Sequence, residues 1–299
     1  LWNPLIPLCA TVGNVSDGYE SANGLIGSIA GDAMTTVRDK FWIWGHKAGS
    51  HDNNYNLKGT SRVTPADAAV YMGLPNMIMV VLGNEPQPPF DGEAAAMRSL
   101  RRVVWSIVGD SSSRRNDEKT DLEEVVSLAS RFPNITGGIM DDFFTEGKPG
   151  QPVARYSAKD IAGFRRTLHA AVRPLDLWVV LYAHQLHLPV AAHLAETDVV
   201  TFWTWRASQL TDLEKNFTAV EALAPAKRKV LGCYMWDYGD GKPMPLDRMQ
   251  HQCRLGLRWL QEGRIAGMIF LASCICDLKI ETVEWTRQWI REVGDKALR

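Results

Sequence analysis

Short apolar runs alternate with longer amphipathic segments along the chain. Eight of these runs are rich in β-branched or aromatic residues, and their unbroken apolarity is typical of strands that are covered on both faces. The predicted strands are 41–44, 77–82, 103–108, 136–140, 177–182, 199–203, 230–234 and 266–271. Alternation of strands with helical segments indicates βαβ units and a parallel sheet.

The segments between the predicted strands have the 3.6-residue period of helices, with start and stop signals in the right order. Ser157, with Asp160 three residues later, predicts a helix N-cap. The apolar stripe that follows is Ile161, Phe164, Leu168 and Val172. Pro245 suits the first position of a later helix, and Gly263 ends it.

Eight βα units predict a single (β/α)8 TIM barrel over residues 39–299. The alternative is a doubly wound open sheet, which usually carries a glycine-rich turn after its first strand; residues 45–50 lack that fingerprint. Residues 1–38 are rich in small and polar side chains and fit no barrel unit. We interpret them as an N-terminal extension packed on the barrel.

Composition narrows the choice of partners. The chain is 45% hydrophobic and 22% charged with a formal net charge of −1, which predicts a soluble globular protein and no nucleic-acid or membrane partner. No apolar stretch is long enough to span a membrane.

The first residue is Leu1 rather than Met, so a leader peptide could precede it. A cytoplasmic location and a secreted one both stay open, as does the oligomeric state.

The five cysteines have neither the pairing of a disulfide framework nor the spacing of a zinc site. Cys274 and Cys276 follow the last predicted strand, and we expect them to be buried thiols rather than nucleophiles. No cofactor is predicted.

Active sites of TIM barrels lie at the carboxyl ends of the strands. Carboxylates and aromatic residues are concentrated there, and together they are the side chains that cleave glycosidic bonds and bind sugars. The catalytic candidates are Asp142, Asp141, Asp237 and Glu85. The substrate-binding candidates are Trp44, His46, Tyr182, His184, Trp203, Trp205, Arg206, Tyr234 and Trp236. Because side chains alternate along a strand, one of Asp141 and Asp142 should face the barrel axis and the other should not.

Two alternatives remain open from the residues. His46, His51 and His184 with an aspartate could form the metal site of a metal-dependent barrel hydrolase. Such enzymes usually carry two histidines one residue apart on the first strand, whereas His46 and His51 are five apart. The second alternative is a barrel that binds carbohydrate without cleaving it.

Three segments carry a resemblance to the TIM-barrel glycoside hydrolase superfamily: Gly137 to Phe144 (GGIMDDFF), Trp203 to Trp205 (WTW) and Tyr234 to Asp237 (YMWD). The resemblance implies a hydrolase that takes a small-molecule or oligosaccharide substrate in an aromatic-lined mouth. Many retaining members of that superfamily carry glutamate after strands four and seven, where this chain has aspartate. The roles of acid and nucleophile therefore do not transfer residue by residue.

Overall fold

The computed structural model describes residues 35–147 and 150–298. Eight parallel strands pair in chain order and the first closes with the last, so the predicted TIM barrel is confirmed and the open-sheet alternative is wrong. The strands are β1 Phe41–Gly45, β2 Asn76–Met79, β3 Arg102–Val108, β4 Ile135–Met140, β5 Asp176–Tyr182, β6 Val199–Trp203, β7 Arg228–Tyr234 and β8 Gly267–Leu271. Residues 1–34 of the predicted extension lie outside the described residues.

In the part of the chain that the structure describes, seven α-helices connect the strands and an eighth follows β8. They are α1 Pro65–Met72, α2 Asp91–Ala96, α3 Leu122–Arg131, α4 Ala158–His169, α5 Ala191–Ala195, α6 Leu213–Leu223, α7 Leu246–Gln261 and α8 Glu281–Val293. The predicted cap is confirmed, because Ser157 and Asp160 form a reciprocal capping box. The predicted apolar stripe runs too far, since α4 ends at His169 and Val172 is exposed.

The barrel interior is packed with aromatic side chains that form the base of its carboxyl-terminal mouth. Trp44 on β1 and Trp203 on β6 meet across the barrel, with ring centroids 5.1 Å apart, and both are buried. Trp203 fits because Gly232 on β7 carries no side chain: a Cβ there would stand 2.0 Å from the indole. The mouth is therefore closed from below by two tryptophans.

Gly232→Ala is expected to destabilise the protein, because the new methyl group must displace the Trp203 ring. Overpacking of this kind costs about 1–3 kcal/mol of unfolding free energy, measurable by urea denaturation. Gly163→Ala in α4 is the matched control, since the nearest atom to its Cβ would be 3.9 Å away and alanine is the better helix former. Equal effects of the two substitutions would contradict this packing.

The described cysteines, Cys233, Cys253, Cys274 and Cys276, are free and buried, as expected for Cys274 and Cys276. Burial raises the pKa of all four thiols, so they are poor nucleophiles. No helix within the described residues has both the length and the apolar character needed to cross a membrane.

Candidate functional site

A cavity of about 420 Å³ opens at the carboxyl ends of the strands, above Trp44 and Trp203. We call it the mouth cavity. Nine of the sequence-predicted site residues line it: Trp44, His46, Asp141, Asp142, Tyr182, His184, Trp203, Trp205 and Tyr234. They come from strands β1, β4, β5, β6 and β7 or from the residues that directly follow them, so closure of the barrel brings them to one opening.

Asp141 is the buried carboxyl group of the cavity. It follows β4 directly, and its Oδ1 accepts the backbone N–H of Asp142 at 2.9 Å. Burial raises the pKa of Asp141 well above its ordinary value, and the nearby carboxyls of Asp142 and Asp110 add to the effect. This environment favours the protonated form of the carboxyl group, which can donate its proton.

Asp142 is held in a different way. Its Oδ1 accepts the hydroxyl of Tyr182 at 2.8 Å, and its Oδ2 accepts the backbone N–H of Ser111 at 3.1 Å. Both oxygens of Asp142 therefore act as hydrogen-bond acceptors. The two neighbouring acids thus have different environments: Asp141 is buried and accepts one hydrogen bond, whereas Asp142 is half-buried and accepts two. Such a difference is how paired acids acquire separate roles.

Both aspartates line the cavity, whereas strand alternation predicted that one of them would not. The reason is local backbone conformation. β4 ends at Met140, and Asp142 has a φ of 41°, in the left-handed region that aspartate tolerates better than most residues. The chain therefore turns after the strand, and the alternation of a pleated strand no longer applies.

Asp110 follows β3 and lines the cavity, but its carboxylate oxygens form hydrogen bonds with loop residues. Its Oδ1 accepts the backbone N–H of Gly83 and the hydroxyl of Ser113, and its Oδ2 accepts the N–H and hydroxyl of Ser112. These four bonds fix the loops after β2 and β3 beside the cavity. Asp110 is therefore a structural carboxylate with little capacity left for a substrate.

Two histidines on the wall beside Trp44 are neutral. Burial lowers the pKa of His46 well below its ordinary value and lowers that of His51 to about 4. The Trp44 indole N–H donates to Nε2 of His46 at 3.0 Å, so the proton of the neutral ring sits on Nδ1. Nδ1 of His46 is buried and has no partner within the described residues. It is therefore a buried donor, on a residue that lines the cavity.

Glu85 lies outside the mouth cavity. The sequence placed it at the end of a strand reaching 82, but β2 ends at Met79. Leu82 and Glu85 then exchange two backbone hydrogen bonds in a tight turn, and of these two residues only Leu82 lines the cavity. The carboxylate of Glu85 forms an exposed ion pair with Lys47 at 3.0 Å.

Asp237, Trp236 and Arg206 also lie outside the cavity lining. Asp237 begins a turn closed by backbone hydrogen bonds with Lys242, and its carboxyl group is fully buried. Arg206 forms an exposed ion pair with Asp240. Trp236 donates its indole N–H to the carbonyl oxygen of a loop residue rather than facing the cavity.

Several lining residues were not among the predicted catalytic or substrate-binding residues: His51, Tyr55, Asp110, Ser111 and Tyr238. Asp110 follows β3 directly, and Tyr238 lies four residues after β7, so the strand-end rule could have found both. Tyr55 lies ten residues past β1 in a long loop. No pattern in the sequence distinguishes it from its neighbours.

The histidines of the metal alternative divide between two sides of the cavity. His46 and His51 are adjacent, with ring centroids 4.9 Å apart, whereas His184 stacks on Tyr182. Within residues 35–147 and 150–298, no group of three or more His, Cys, Asp and Glu side chains has the arrangement of a metal site.

The raised pKa of Asp141 has a consequence for stability. The folded state holds the proton more tightly than the unfolded chain, in which the pKa is close to 3.8. Its stabilising contribution is therefore complete below pH 3.8 and is lost as pH rises through the folded pKa. We expect Asp141→Asn to melt higher than wild type at neutral pH, with the difference shrinking towards pH 4. Parallel melting curves at every pH would contradict the burial of an ionisable group there.

Comparison with known proteins supports the architecture. No model of a known protein family matches the chain, and no curated protein sequence matches it. A protein from Bacteroides thetaiotaomicron, whose assignment as an α-L-fucosidase is provisional, superposes with a TM-score of 0.56 at 11% identity. That match covers 87% of this chain and 95% of the other.

Two further solved structures have TM-scores of 0.50. One is a chitinase-like lectin from tamarind, at 9% identity over 85% of this chain and 99% of the lectin. The other is active domain 2 of a chitinase from Pyrococcus furiosus, at 12% identity over 80% of this chain and 85% of that domain. The chain shares the fold of these barrels. At such low identity the likeness extends to the fold alone.

Proposed function

We propose that the protein is a glycoside hydrolase in which Asp141 and Asp142 are the catalytic carboxyl pair. The observation that carries the proposal is the arrangement at the end of β4. A buried carboxyl with a raised pKa and a hydrogen-bonded carboxylate line one aromatic cavity side by side. Glycosidic bonds are cleaved by two such groups, one protonated and one ionised.

Asp141 is the proposed general acid. Its proton passes to the glycosidic oxygen as that oxygen leaves the anomeric carbon, which releases an alcohol. Asp142 stabilises the positive charge that develops on the sugar ring. Addition of water to the anomeric carbon then completes hydrolysis, and the proton of that water restores the pair to its starting state.

Tyr182 is the proposed positioning residue for Asp142, because its hydroxyl donates to Oδ1. Burial raises the pKa of Tyr182 well above its ordinary value, so the hydroxyl remains a donor across the working pH range.

The cavity composition supports an uncharged sugar as substrate. Among the described residues, no Lys or Arg side chain lines it, and its histidines are neutral at physiological pH. An acidic sugar would therefore meet carboxylates without a compensating cation. Indole and phenol rings offer faces for the apolar C–H surfaces of a sugar.

The proposed function is tested with purified protein on a panel of neutral aryl glycosides that includes glucosides, fucosides and 2-acetamido glucosides of both anomers. We expect turnover of at least one member, and we expect it to survive treatment with a chelator. Loss of turnover on chelation would support the metal-dependent alternative. Sugar binding without turnover anywhere on the panel would support a carbohydrate-binding barrel.

A further inference from the structure

A second depression of about 580 Å³ adjoins the mouth cavity. It runs over the loops that follow β1, β2 and β3, and we call it the lateral groove. Four residues line both spaces: Tyr55, Leu82, Asp110 and Ser111. The cavity and the groove therefore adjoin at these four residues.

Tyr55 stands at the junction and is the exposed aromatic residue of the described chain. Its side chain is 37% exposed, while the other aromatic side chains are more buried. Its φ is 55°, a left-handed conformation that a bulky residue adopts at a cost in free energy. Asn53 and Asn56 on either side also have positive φ. Tyr55 therefore has a backbone conformation that tyrosine does not favour by itself, and contacts with the rest of the protein must maintain it.

Contacts from the loop after β7 keep Tyr55 in that position. The indole N–H of Trp236 donates to the Tyr55 carbonyl oxygen at 3.1 Å, and the Asn56 side-chain amide donates to the Gly241 carbonyl oxygen at 3.1 Å. The Tyr55 ring also packs edge-to-face against His51 and Tyr238. An exposed ring that is fixed in this way loses little conformational freedom when a ligand stacks on it.

The rest of the groove is polar. Ser50, Asn54, Ser111 and Ser112 line it, with Lys47 and Glu85 paired at its outer side. Hydroxyl and amide groups beside an exposed aromatic ring are the combination that binds a sugar unit by its hydroxyls and its C–H face together.

We propose that the lateral groove is a second sugar-binding site, in which Tyr55 stacks on the unit next to the one in the mouth cavity, so that the protein takes oligosaccharide chains. Trp236 acts as a positioning residue for Tyr55. This inference rests on the proposed function for the class of ligand, but its test is a binding measurement that does not require turnover.

The test is calorimetric titration with glucose oligomers and N-acetylglucosamine oligomers of one to five units. It is carried out in an Asp141→Asn background, so that chains are not cut during the measurement. We expect affinity to rise about tenfold or more between one unit and three, as an aromatic stack of about 1.5 kcal/mol implies. Tyr55→Ala should remove most of that rise, and Tyr55→Phe, which keeps the ring, should retain it.

Trp236→Phe keeps an aromatic body but removes the N–H that holds the Tyr55 carbonyl. We expect it to weaken binding of long chains more than binding of single units, a difference that general loss of stability would not produce. The groove assignment is overturned if no oligomer binds, if affinity does not depend on length, or if Tyr55→Ala lowers affinity equally at every length. Length-dependent binding by the Asp141→Asn variant, together with no cleavage of the same chains by the wild-type protein, would remove the hydrolase proposal and leave the groove. Cleavage by the wild-type protein, together with binding that does not depend on length, would remove the groove and leave the hydrolase proposal.

Discussion

Asp141→Asn is expected to lower kcat by about 10²–10⁴-fold on glycosides with poor leaving groups, the range that a general acid contributes. An amide cannot give up a proton to the departing oxygen, although it can still accept the backbone N–H of Asp142. The loss should be much smaller with a dinitrophenyl leaving group, which departs without protonation. The measurement is kcat across a series of aryl leaving groups.

The pH profile supplies the control for this prediction. Wild-type activity should fall as pH rises through the raised pKa of Asp141, because the ionised form cannot act as the acid. The same alkaline limb should be absent in Asp141→Asn. A uniform loss over all leaving groups, with the limb retained, would mean that another group protonates the leaving oxygen.

The second large effect is expected for Asp142→Asn, at about 10²–10³-fold in kcat for every leaving group. The amide removes the negative charge that faces the developing positive charge on the sugar. Tyr182→Phe, which deletes the 2.8 Å hydrogen bond to Asp142, should lower kcat less and leave KM nearly unchanged. Steady-state kinetics on one good substrate measure both variants.

Glu85→Gln and Asp237→Asn are the comparison variants for Asp142→Asn. The sequence predicted catalytic roles for both carboxyls, but neither lines the mouth cavity. If either substitution lowered kcat as much as Asp142→Asn, the catalytic pair would have to be reassigned to include it.

The barrel could be predicted because its strands are buried on both faces. Runs such as Val199–Trp203 and Arg228–Tyr234 are mostly apolar at their buried positions, with Thr201 and Lys229 as the exceptions, and helical periodicity separates them. The predictions were less accurate at the ends of strands and helices, because local hydrogen bonds determine where each element ends. β2 ends at Met79, although Val80 still donates its N–H to the Gly45 carbonyl oxygen and the Val81 carbonyl oxygen accepts the N–H of Asp110; the backbone of Leu82 bonds to Glu85 in a turn instead.

The site could be predicted in part, for the same reason. Residues at strand ends, such as Tyr182, Trp203 and Tyr234, must face the mouth once the ring closes. The shared orientation of Asp141 and Asp142 depends on one left-handed residue, which no periodicity reveals. Tyr55 reaches the cavity through a long loop held by Trp236 and Gly241, and such tertiary contacts have no local sequence signal.

Hydrolysis by the Asp141–Asp142 pair is measured by counting new reducing ends when purified protein is incubated with neutral oligosaccharides. We expect reducing ends to accumulate with the wild-type protein and not with the Asp141→Asn/Asp142→Asn double variant, although the double variant still binds the same chains. Binding by wild type with no new reducing ends, or equal hydrolysis by both proteins, would contradict this expectation.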